Sequence, residues 1–128
     1  MTVSSIISPG IHDPQLLKHP LLGPYLPSER RAIIHLRILL SDRAQREVQL
    51  EQAIATWEEG PARQWRQVKA SRDCSKQADE IERHKYFLSQ KKGYDIGREV
   101  AAVDWVTKYA ATWRIWWEEQ PDSGSEPL

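Results

Sequence analysis

The stretch GYDIGREVAAVDWVTKYAATWRIWWEEQ, residues 93–120, holds four of the chain's six tryptophans and reads as one helix. Gly93 can stop a preceding helix in the left-handed conformation. Asp95 can N-cap the next one by accepting from the orphan amides of its first turn, and Pro121 ends it. Ile96, Val100, Val103, Val106, Ala110, Trp113 and Trp117 recur three or four residues apart and define one face. Ala102, Trp105, Tyr109 and Trp116 make a second row beside it, so this helix is apolar over far more than the stripe a surface helix needs. Burying an aromatic side chain removes about 150 to 250 Å² from water, worth several kcal/mol at about 25 cal/mol per Å². Both rows therefore demand cover. One is met by the rest of the chain, and the other calls for the N-terminal segment or another molecule.

Upstream of this helix the chain divides at its prolines and glycines. Residues 1–27 carry five of the eight prolines (Pro9, Pro14, Pro20, Pro24, Pro27), which forbids a long helix there. The segment is nonetheless rich in apolar residues, among them Ile6, Ile7, Ile11, Leu16, Leu17, Leu21, Leu22, Tyr25 and Leu26, whereas disordered arms are polar and charged. It is expected to pack, either across this chain's own helices or onto a partner. From Ser28, a plausible N-cap, no glycine or proline occurs until Gly60, and the pattern predicts one helix to about Glu58. Gly60 and Pro61 break it, with proline at a first helical position where its missing amide costs nothing. A second long helix then runs to Lys92. The expected fold class is all-α: a long antiparallel helical hairpin plus a third aromatic-rich helix, with a Pro-rich N-terminal arm. The corresponding segments are the apolar arm 1–27, a three-helix domain 28–120 and a flexible acidic tail 121–128.

Charge narrows the function classes. Lys and Arg number 18, as do Asp and Glu, so the formal net charge is zero and no overall field draws the molecule to nucleic acid or to an anionic membrane. No run of apolar residues is long enough to span a bilayer, and MTVSSIISPG lacks the basic start and apolar core of a signal peptide. The single cysteine, Cys74, cannot make an internal disulfide and suits a reducing cytoplasm.

Signatures of catalysis are missing from the pattern. The histidines His12, His19, His35 and His84 are scattered; Glu80 and His84, four apart on a helix, read as a surface pair, and no CxxC or HExxH motif marks a metal site. No cofactor, metal or catalytic residue is expected, and the chain reads as a non-enzyme. Two binding surfaces remain. Tryptophan, tyrosine and arginine are enriched at the centres of protein interfaces, which points to Trp105, Tyr109, Arg114 and Trp116 as contacts for a protein partner or a second copy in a homo-oligomer. The alternative is a nucleic-acid surface. From Pro61 to Lys76 five basic residues stand against one acidic, and Arg63, Arg66, Lys69 and Arg72 lie on one helix beside Trp65. A second basic group, Arg83, Lys85, Lys91, Lys92 and Arg98, lies near Tyr86 and Tyr94.

The run EIERHKYFLSQKKGYDIGREVAAVDWVTKYAATWR, residues 80–114, carries His84, Lys85 and Tyr86, then Ser89, then Gly93, Asp95 and Gly97, then Glu99 and the pair Asp104–Trp105. In this order of residues the chain resembles small uncharacterised bacterial helical proteins. The resemblance implies a bacterial source, and that the turn and the helix after it are the unit that matters. It brings no activity and no catalytic residue. The expected function is a protein-interaction module, an adaptor or a small subunit of a larger assembly.

Overall fold

The computed structural model describes residues 14–123. Ile6, Ile7, Ile11 and His12 lie outside the described residues, as does the tail from 124 onward. The elements are α1 (Pro14–Leu17), a 3-10 turn (Pro20–Leu22), α2 (Pro27–Ala44), α3 (Leu50–Glu59), α4 (Pro61–Lys92), α5 (Arg98–Lys108), α6 (Ala110–Glu119) and a second 3-10 turn (Pro121–Ser123). The protein is all-α, with no strand among the described residues. Packing divides the span expected as one three-helix domain: residues up to Gln67 belong to one compact unit and Val68–Ser123 to a second.

In the first unit α2 packs against α3. Leu22, Ile33, Ile34, Leu36, Leu50, Trp57, Ala62 and Trp65 form the core, and Trp57 meets Trp65 edge-on with ring centroids 5.6 Å apart. The arm from Pro14 to Leu26 lies on this core. Leu22 is fully buried in it, and the Arg30 guanidinium donates to the carbonyls of Tyr25 (2.7 Å), Gly23 (3.2 Å) and Leu17 (3.3 Å), which fixes a stretch that prolines keep out of long helices.

The helix expected over residues 28–58 is two helices. It begins at Pro27, whose ring presets the first helical φ, so Leu26 rather than Ser28 is the residue before the helix. It stops at Ala44 because Gln45 turns left-handed (φ 56°, ψ 35°). The return is tied by side chains: Ser41 Oγ accepts from the Val48 amide at 2.9 Å, and Arg37 Nε donates to the Val48 carbonyl at 2.8 Å. Val48 is thereby delivered to the interior, 1 % exposed. The close-packed helix pair is thus α2 with α3, joined through 45–49.

The second unit takes the greater part of α4 together with α5 and α6. Gly93 (φ 81°) ends α4 with its amide on the Ser89 carbonyl at 2.9 Å, as its position predicts. Asp95 is not the residue capping α5. Its Oδ1 accepts from the Gly97 amide at 2.9 Å, and Gly97, at φ 86° and ψ 155°, immediately precedes the helix. The helix expected to run unbroken to Gln120 bends at Tyr109 (φ −126°, ψ −20°). This is a one-residue bend rather than a loop, since the Tyr109 amide still reaches the Trp105 carbonyl at 2.8 Å and its own carbonyl accepts from Trp113 at 2.9 Å. Among the described residues no helix is long and apolar enough to cross a membrane.

Candidate functional site

Helix α5 decides what surface this unit offers. Ala101 (0 % exposed) and Trp105 (5 %) face the interior, while Val100 (58 %), Val103 (67 %) and Val106 (49 %) face outward. Of the row expected to be core, the three valines are therefore surface while Ala110 (2 %) and Trp117 (6 %) stay buried, and part of the row expected to be surface is core. Size is the physical reason: with two apolar rows available on one helix, burying the indole removes more area from water than burying a valine. On the outward side Glu99, Val100, Val103, Asp104 and Thr107 line a shallow depression of about 550 Å³.

Trp105 belongs to an interior ladder. Its ring meets that of Trp113 edge-on at 5.8 Å, and Trp113 stacks on Trp117 at 5.7 Å with an 11° angle between the planes. Trp105 is therefore corrected from a partner contact to a core residue. The other three expected contacts are exposed: Tyr109 (48 %), Trp116 (50 %) and Arg114. Ile115, which the pattern did not single out, stands beside them at 67 % exposure. Trp116 lies tilted on Trp117, centroids 6.3 Å apart, so one edge of the ring is anchored to the core.

Two polar clusters hold this unit in place. Lys69, 7 % exposed at its side chain, bonds Asp73 at 2.7 Å and Glu118 at 2.6 Å, and Asp73 Oδ1 also accepts from the Trp117 indole at 2.8 Å. With its amine closed in by Asp73 and Glu118, Lys69 is committed to this cluster and is not open to a substrate. In the second cluster His84 Nε2 lies 2.6 Å from Asp104 Oδ2, while Lys108 donates to Oδ1 at 2.8 Å. The Lys108 hydrogen bond first, and the His84 contact second, hold the Asp104 carboxyl below the usual carboxylate range. The His84 ring also meets Tyr109 edge-on at 5.4 Å, at the bend between α5 and α6. Glu80 bonds Arg83 at 3.0 Å, so the pairing expected of Glu80 with His84 is replaced.

The basic stretch of α4 is spent on the protein itself. Arg66 bonds Glu29 at 2.7 Å and Glu58 at 2.8 Å, with its pKa raised chiefly by the hydrogen bond to Glu29. Lys69 is enclosed as described, and Arg72 donates to the Asp122 carbonyl at 3.1 Å. Of the four residues expected to meet phosphates, Arg63 alone is exposed with no pairing to an acidic group among the described residues. Among the described residues no three His, Cys, Asp or Glu side chains gather as a metal site would require. No protein-family model, curated protein or solved structure matches this chain.

Proposed function

We propose that this protein is a non-enzymatic interaction module, an adaptor or a small subunit of a larger assembly, that binds another protein chain through the outward side of α5 and α6. The observation that carries it is the exposure of Val100, Val103 and Val106 between 49 and 67 % on a helix whose other side is already sealed by Ala101 and Trp105. An apolar row with large exposed neighbours, here Tyr109, Ile115 and Trp116, is the composition of an interface centre, and Arg114 supplies a charged rim. The depression beside Val100 and Val103 gives an incoming apolar side chain a seat. Intramolecular pairing of Arg66, Lys69 and Arg72 disfavours the nucleic-acid reading at that stretch. A cytoplasmic location is part of the proposal, being where a lone exposed thiol such as Cys74 stays reduced.

Val100→Glu combined with Val103→Glu tests this, because glutamate is a good helix former and both positions are open to solvent. Native mass is measured for both proteins, purified and after mixing with cell extract. The wild type is expected at a mass above one protomer in at least one condition, with the variant at one protomer in both and an unchanged helical circular dichroism spectrum. A wild type that is one protomer in both conditions defeats the proposal, as does a variant that keeps the larger mass.

A further inference from the structure

The chain's second basic group differs from the first in how it is partnered. Residues 83–94, RHKYFLSQKKGY, contain Arg83, Lys85, Lys91 and Lys92 and no carboxylate. Arg83 is paired with Glu80 at 3.0 Å, but among the described residues Lys85, Lys91 and Lys92 have no acidic group within ion-pair distance. Three rings stand exposed in the same stretch: Tyr86 (67 %), Phe87 (56 %) and Tyr94 (64 %). Two are steadied from one turn onward. Gln90 Nε2 donates to the Tyr86 hydroxyl at 2.8 Å, and Lys91 Nζ lies 5.3 Å from the centre of the Phe87 ring. His84, the one other ring here, is turned away onto Asp104.

We infer that the end of α4 and the turn after it bind single-stranded nucleic acid, with Tyr86, Phe87 and Tyr94 stacking on unpaired bases and Lys91 and Lys92 meeting phosphates. Exposed rings and cations without an acidic partner in one stretch are the two components of such a site: every base has a face to stack, and each phosphate contact releases a counterion. Steadied rings lose little side-chain freedom on stacking. An anionic membrane is a poorer fit. Asp79 and Glu82 are exposed on the same helix just upstream, where a flat sheet of headgroups would meet them, while a single strand can pass beside them. This site rests on residues other than those of the surface proposed on α5 and α6.

Fluorescence anisotropy of the full chain with labelled oligo-thymidylate of about twenty nucleotides tests the inference. The expected result is binding that weakens by about sevenfold between about 50 and about 200 mM salt, as two phosphate contacts on a single strand require. Tyr86→Ala with Phe87→Ala weakens it at least about fivefold and leaves the salt slope unchanged, while Tyr86→Phe with Phe87→Tyr restores it. Lys91→Gln with Lys92→Gln instead lowers the slope by about 1.4. All these positions are solvent-exposed, and circular dichroism verifies that helicity is kept. No binding at the lower salt, equal binding of the matching duplex, or an alanine pair that binds like the wild type overturns the inference. So does a stronger association with phosphatidylserine vesicles, which would make the surface a membrane contact.

Discussion

Asp104 carries three jobs within one carboxylate: it receives His84 on Oδ2 and Lys108 on Oδ1, and it edges the depression on the outward side of α5. Its folded pKa lies below the ordinary value of 3.8, with the Lys108 bond as the larger cause and His84 the second. A depressed carboxyl stabilises the fold fully above its unfolded pKa, and that contribution disappears as pH falls through the lower, folded value. Thermal unfolding followed from about pH 5 down to about pH 2 should show a steeper acid loss in the wild type than in Asp104→Asn, which has no proton to take up there. Parallel curves would mean that the contacts of Asp104 contribute nothing to acid sensitivity. Both His84 and Asp104 are visible in the sequence, but their pairing is not. They stand 20 residues apart on different helices, and only the turn at Gly93 sets one against the other.

At the scale of the element, punctuation by special residues was legible and punctuation by packing was not. Gly60 with Pro61, Gly93 and Pro121 bound their helices by backbone chemistry that each residue carries wherever it occurs. The breaks at Gln45 and Tyr109 have no such marker. At Gln45 the left-handed residue depends on Ser41, Arg37 and Val48 meeting across the return, contacts that exist only once α3 has docked. The side of α5 turned inward was equally hidden, since valines and tryptophans give a helix two apolar rows of similar length. Gly97 is the reverse case: the pattern shows it without its reason. A Cβ at Gly97 would meet no atom within 4 Å, so no helix crosses there, and the requirement for glycine is its φ of 86°. Gly97→Ala should therefore cost about 1 to 3 kcal/mol in urea unfolding, all of it backbone strain. A loss well below this would show that the turn readjusts to an ordinary φ.

For the molecule as a whole, the class was legible and the partition was not. Helical periodicity without alternation announces an all-α chain, but the division near Gln67 falls inside the uninterrupted helix α4, where no change of composition marks it. Glu29 offers a way to test the partition. It is 8 % exposed and accepts from the Trp57 indole at 2.8 Å and from Arg66 at 2.9 Å, so removing the carboxylate strands a buried donor within the first unit. Glu29→Ala should destabilise residues 14–67 by about 2 to 3 kcal/mol, read as faster amide hydrogen exchange there, with little change over 68–123. Uniform acceleration along the whole described chain would show that both units open together.

Lys69 gives the second unit one last property. The sequence has seven lysines, and six of them, Lys18, Lys76, Lys85, Lys91, Lys92 and Lys108, are at least partly open to solvent. The seventh amine is enclosed by Asp73 and Glu118. Acylation of the lysines of the folded chain thus finds six targets, and position 69 becomes reactive only when residues 68–123 lose their arrangement, which makes it an internal gauge of their integrity.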